Sequence, residues 1–224
     1  MMDNQSHSTA AYGVILDLIL SGEIDPESSI STRSLAERTG IGRTPIREAL
    51  QALARDGMVD IVPMRGTFVH QPGIEEVRDI FEVRVALEGM AALLVAQRGL
   101  SPALAEIGAT LEDLQQEAAP DLDAIRLKGW AFHDELMRAT GNAQLHALYA
   151  QVSRKFSLIL RQGRKYSDER VRETLDEHVA LFRAIAGGDA PRAQALMQEH
   201  IQKAFAARMK ALSAFPTLPG TRNG

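Results

Sequence analysis

From residue 75 to residue 213 apolar side chains return every three or four positions, the period of helices that bury one face. Breakers cut this pattern into six predicted helices, at roughly 75–98, 102–118, 122–140, 143–166, 168–186 and 190–213. The stops are Gly99-Leu100-Ser101-Pro102, Ala119-Pro120, Gly141-Asn142 and Gly187-Gly188-Asp189. Before residue 72 the texture changes to short helical runs followed by MVDIVPMRGTFVHQP, which alternates as a strand, turns at Met64-Arg65-Gly66 and returns as a second strand. Pro72 and Gly73, within HQPGIEE at 70–76, mark the divide.

The stretch GRTPIREALQALARDG, residues 42–57, places Ile46, Ala49, Leu50 and Leu53 in one sector of a helical wheel. Arg43, Thr44, Arg47, Gln51 and Arg55 fall on the opposite side. Pro45 suits a first helical turn, and Thr44 before it is expected to be the N-cap. Upstream, STRSLAERTG reads as a shorter helix with Leu35 and Ala36 inward, closed by Gly40. A helix, a glycine turn and a second helix with a polar N-terminal face make a helix-turn-helix, and the strand pair adds a wing with an arginine at its tip. Such a recognition helix enters the major groove while the wing follows the backbone or the minor groove. The expected fold is therefore mainly α: an N-terminal winged helix-turn-helix over 1–70, a linker at 71–75, a C-terminal all-α antiparallel helical bundle over 76–213, and a frayed tail at 214–224.

Composition limits what such a chain can be. With 224 residues, of which 45% are hydrophobic and 24% charged, it reads as an ordinary folding chain of one or two domains. VALEGMAALLVAQ is interrupted by Glu88. No apolar run therefore reaches the roughly 18 residues of a membrane span. The N-terminus lacks the pattern of a secretory signal. A cytoplasmic protein without a membrane partner is expected. The absence of cysteine excludes disulfides, thiolate nucleophiles and Cys-based zinc fingers, and leaves His, Asp and Glu for any metal. Net charge is −4, and residues 1–72 carry six arginines and no lysine against nine acids, a net of −3. A surface for a polyanion must come from where the arginines point.

Three of the six histidines fall on apolar stripes: His133 beside Ile125, Phe132 and Leu136; His178 among Val171, Leu175, Phe182 and Ile185; His200 among Ala193, Leu196, Met197 and Ala204. His178 and His200 each lie eleven residues from Asp189 in the turn, which sets them level across two antiparallel helices. Converging imidazoles in an apolar interior suit a borderline metal. His7, His70 and His146 have no such placement. A metal-dependent hydrolytic enzyme, with His133, His178 and His200 on a cation and Glu135 or Glu177 as general base, is the competing reading. Against it, the sequence offers no Gly-rich phosphate loop and no activated Ser or Cys.

The run SLAERTGIGRTPIREALQALARDGMVDIVPMRGTFV resembles the winged-helix signature of GntR-family bacterial transcription regulators of the FadR-type subgroup. The resemblance implies DNA contacts by Arg33, by Arg43, Thr44 and Arg47 on the recognition helix, and by Arg65 and Gly66 on the wing. Ile41-Gly42 stands where Val-Ser is usual, which removes one hydroxyl contact to phosphate. DIFEVRVALEGMAALLVAQRG, FHDELMRATGN and EHVALFRAIAGGDAPRAQALMQEH resemble the FCD effector domain of the same subgroup. That resemblance implies a dimerising bundle that binds a small organic acid, often beside a divalent metal such as Zn, Ni or Mn, one per chain, held by one Asp and three His. The histidines match His133, His178 and His200, but the Asp position is Gly129. Asp134 points about 100° away from His133 on the helix. Three readings stay open: a three-histidine metal completed by water or by the effector carboxylate, a metal-free anion site, or a vestigial core. The space at Gly129, beside Trp130, is expected to admit a bulkier acid. Arg84 is expected to point inward, either greeting an effector carboxylate or pairing with Glu88 at i, i+4. Together these imply a ligand-responsive regulator, a repressor that binds a palindromic operator as a homodimer, in the bacterial cytoplasm and at the nucleoid when DNA-bound.

Overall fold

The chain begins helix, helix, helix, then two strands: α1 (Met2–Ser21), α2 (Thr32–Thr39), α3 (Arg43–Arg55), β1 (Val59–Val62) and β2 (Gly66–Val69). Six helices follow: α4 (Ile74–Arg98), α5 (Pro102–Gln116), α6 (Leu122–Ala139), α7 (Ala143–Arg161), α8 (Asp168–Ala186) and α9 (Ala190–Ser213). The computed structural model describes residues 2–161 and 166–213, and the expected tail lies outside them. Chain contacts divide the protein into two units, one of Met1–Gly73 with Ser153–Gln162, the other of Ile74–Val152 and the helices after Gly163.

The first unit is larger than its helix-turn-helix. Its α1 is a 20-residue helix rather than a short one. The stripe Ala11, Ile15 and Ile19 is fully buried. Burial of each Ile contributes about 1.5–3 kcal/mol of transfer free energy. This stripe packs with Leu35, Ile46, Ala49, Leu50, Leu53, Met58 and Val69 in one core, which also takes in Leu158 from α7. Ser31 caps α2 by accepting from the Ser34 amide, and Gly40 ends the helix at φ 72°. That left-handed conformation suits glycine. The strands pair antiparallel, with Val59 opposite Val69 and Val62 opposite Gly66. A side chain at Gly66, whose φ is 120°, would collide with the Ser29 hydroxyl, and the Ile30 amide donates to the Thr67 carbonyl at 2.6 Å. The wing is thereby fastened to the segment that leads into α2.

In the second unit the predicted breaks coincide with caps. Ser101, Asp121 and Ser167 each accept a hydrogen bond from an amide in the first turn of α5, α6 and α8. Ser167 and Tyr166 are non-helical, so α7 does not run to 166 as expected; residues 162–165 lie outside the described ones. The long α4 packs along α9, while α8 packs against α5, α6 and α9. Phe182 of α8 lies so close to Gly108 of α5 that a methyl there would overlap its ring.

Candidate metal centre and DNA-facing surface

Helices α6, α8 and α9 each turn one imidazole into the bundle, and His133, His178 and His200 are all buried. The Nε2 atom of His133 lies 3.1 Å from that of His178 and 3.2 Å from that of His200. The rings of His178 and His200 are 4.6 Å apart, as their equal distance from the Asp189 turn requires.

Two of the three are held from behind by a carboxylate that is itself held by an arginine. Arg84 Nε donates to Glu88 Oε1 at 2.6 Å. Glu88 Oε2 lies 2.5 Å from His133 Nδ1, a close contact that falls off the ideal hydrogen-bond line. Arg170 grips Glu177 with both terminal nitrogens, at 2.8 and 3.0 Å, and His200 Nδ1 meets Glu177 Oε2 at 2.7 Å. A carboxylate only accepts, so Nδ1 of His200 carries the proton towards Glu177 and its neutral ring presents the Nε2 lone pair. That lone pair faces His133 Nε2. For His178, Nδ1 has no hydrogen-bond partner among the described residues.

The electrostatics keep His178 and His200 neutral. Burial, reinforced by the neighbouring imidazoles of His200 and His133, holds His178 well below its usual value. Burial also brings His200 down to about 4, although Glu177 pulls the other way. Burial alone would raise the carboxyls of Glu88 and Glu177; their Arg and His partners outweigh it and hold each at about 2. The site at neutral pH therefore offers imidazole nitrogen donors backed by two neutralised Arg–Glu pairs, the donor set of a Lewis-acidic borderline metal.

Gly129 corrects an expectation. A Cβ built there would lie 2.9 Å from Cε1 of His178, so the imidazole itself takes up the space expected for a bulkier acid. Trp130, on the next position, is exposed at 37%. Arg84 points inward and pairs with Glu88; it is 3% exposed and its guanidinium lies 5.5 Å from the Phe81 ring centroid. Asp134 is occupied by Arg138 at 2.9 Å, and Glu135 accepts from Ser101 Oγ at 2.7 Å. Sequence reasoning missed Glu88 as the partner of His133, because nothing in a linear pattern joins two positions on different helices. Arg170 could have been noticed from its spacing of seven, two helical turns, before Glu177.

On the first unit the wheel holds: Ile46, Ala49, Leu50 and Leu53 are buried, while Arg43, Thr44, Arg47, Gln51 and Arg55 are exposed. Thr44 is not the N-cap. Helix α3 starts at Arg43 with Gly42 as its cap and no side-chain cap bond, which leaves Thr44 outward in the first turn. Pro45 remains within that turn, where an amide has no helical acceptor anyway. Arg33 is exposed but held by Glu37 at 2.8 Å. Among the described residues no ion pair or hydrogen bond holds Arg43, Arg47 or Arg65. Arg65 and Gly66 lie exposed at the tip of the wing.

Comparison with known proteins agrees with this architecture. Residues 7–69 match the family described as bacterial regulatory proteins, gntR family, and residues 79–203 match the FCD domain. The chain is 27% identical over 202 residues to the HTH-type transcriptional repressor GlaR of Escherichia coli (strain K12), covering 87% of this chain and 92% of GlaR. Its fold is similar to that of E. coli McbR/YncC, with a TM-score of 0.74 at 23% identity over 91% of this chain and 97% of that one. It is also similar to the Zn2+-bound FCD domain of the regulator TM0439, with a TM-score of 0.53 at 22% identity over 64% of this chain and 98% of that domain. Two family matches that follow one another on one chain, over a winged helix and a helical bundle, leave one assignment: the protein belongs to the GntR family, carries an FCD domain, and is a DNA-binding transcription regulator rather than an enzyme.

Proposed function

We propose that the protein is a repressor that binds a palindromic operator as a homodimer and responds to a small carboxylic acid sensed in the bundle. The observation that carries this reading is the contrast in one chain between outward Arg43, Arg47 and Arg65, which no acid holds among the described residues, and three buried imidazoles whose Nε2 atoms converge on one point. Arg43, Thr44 and Arg47 read or grip the major groove, Arg65 and Gly66 meet the backbone beside it, and Arg33 contributes a phosphate contact. The similarity to GlaR, a transcriptional repressor, supports the sign of regulation. The family and the lack, among the described residues, of a helix fit to cross a membrane support a cytoplasmic, nucleoid-associated regulator.

His133, His178 and His200 would hold one divalent metal per chain, Zn, Ni or Mn. Nitrogens bound at about 2.0–2.1 Å in a tetrahedral set stand roughly 3.3 Å apart, close to the 3.1 and 3.2 Å found here. The bound metal would supply a fixed positive charge to the interior. Each nearby carboxylate is already neutralised by an arginine, and three imidazoles add no negative charge, so a small anion is the natural complement. Effector occupancy would bias the bundle between two states with different affinities for it, and thereby DNA binding.

The test is a nuclease footprint on duplexes selected by the protein itself, repeated with metal and a panel of small carboxylic acids. A two-fold symmetric footprint that weakens with one acid only when the histidines are intact is expected. A footprint indifferent to every acid would refute the sensing role, and the lack of any footprint would refute the DNA assignment.

A further inference from the structure

Residues Val62 to Arg65 close the wing in a four-residue turn, with the Arg65 amide donating to the Val62 carbonyl at 3.1 Å. Pro63 fills the second position, where its ring fixes a negative φ. Met64 fills the third position with φ 62°. That is a type II turn, whose third position ordinarily holds Gly or Asn because a left-handed backbone crowds a Cβ. Met64 is the one non-glycine with positive φ among the described residues. Its side chain is also wholly exposed, 104% against 51% for Ile61, the next large apolar side chain of this unit. The turn therefore holds strain, and the unbranched thioether it displays gains no burial within the chain.

The platform beneath it is firm. Gly66 abuts Ser29 and the Ile30 amide bonds to Thr67, so the strands that carry the tip are fastened to the rest of the unit. Beside the tip, Arg65 is exposed and has no ion-pair partner among the described residues. An apolar point flanked by a cation on a fixed hairpin matches a duplex groove, with a stacked, apolar interior between two rows of phosphates.

We infer that Met64 is an apolar wedge that enters the DNA groove at the wing, partly unstacks one base step and bends the duplex while Arg65 holds the neighbouring phosphate. Methionine serves this purpose in groove-bending proteins because it is slender, flexible and polarizable. Pyrimidine–purine steps, which unstack most readily, are the preferred sites. The inference rests on the DNA-binding reading of the wing and adds deformation to it.

The experiment uses the full chain and a duplex that the wild type recovers from a random-sequence pool, labelled at both ends so that energy transfer reports the bend. Met64→Gly and Met64→Asn both relieve the left-handed strain, so the free protein should melt at the same or a higher temperature. Both should nonetheless lose affinity by about fivefold or more and straighten the duplex, while Met64→Leu keeps most of each. Affinity within about twofold of wild type together with an unchanged bend would overturn the wedge. Loss of affinity in step with loss of thermal stability would also overturn it, by making Met64 a structural residue. Arg43→Ala separates the two levels: if it weakens binding while Met64→Gly leaves both affinity and bend as in the wild type, DNA recognition stands and the wedge falls.

Discussion

The two units place the same residue type in opposite situations. In the winged helix, Arg43, Arg47 and Arg65 stand in solvent with no acid holding them among the described residues; in the bundle, Arg84 and Arg170 are largely withdrawn from water and each is clasped by a glutamate that orients a histidine. An exposed guanidinium keeps its hydration and needs no partner, so leaving it free for a phosphate or a guanine edge costs little. A buried guanidinium has lost that hydration and must be compensated inside the fold. Recognition of a macromolecule is thus written on a surface and can be altered one side chain at a time, whereas the interior site is a network whose members depend on one another.

Four measurements would break or sharpen that contrast. The largest effect is expected for Glu88→Ala, which breaks the buried Arg84–Glu88 ion pair by removing its carboxylate; unfolding in denaturant should show a loss of about 3–5 kcal/mol. A loss below about 1 kcal/mol would mean the bundle network is as independent as the surface. Next, Glu177→Gln removes the carboxylate that orients His200 and should weaken zinc binding about 10- to 100-fold by calorimetric titration. Equal affinity in both proteins would dissociate the outer pair from the imidazoles. Third, Arg43→Ala or Arg47→Ala should weaken specific operator binding by about 1–3 kcal/mol per bidentate base contact, with the melting temperature unchanged. Unchanged affinity in both variants would remove α3 from the groove. The smallest effect belongs to Arg33→Ala: its exposed pair with Glu37 contributes at most about 1 kcal/mol to stability, and a loss of binding that is uniform across sequences would mark a phosphate contact. A sequence-selective loss would reassign Arg33 to base reading.

Much of this was legible in the chain before folding. Glycine and proline breaks placed the six bundle helices because a helix must stop where its caps and prolines demand. The α3 wheel sorted Leu53 from Arg47 because burial follows the helical period. What failed to show was local or non-local in a telling way. Thr44 was mistaken for a cap because Gly42 caps by backbone conformation alone, which leaves no side-chain signal. The length of α1 was hidden because TAAYGVILDLIL is apolar on more than one side.

The sequence by itself determined the fold class, the outward arginine face and the inward direction of His133, His178 and His200, since each follows from periodicity within one element. Only the tertiary structure decided that Glu88 backs His133, that Glu177 links Arg170 to His200, and that His178 fills the place beside Gly129. Those are distances between atoms on different helices. They depend on how ridges of side chains interlock at a given axial offset, and no pattern along a single helix encodes that offset.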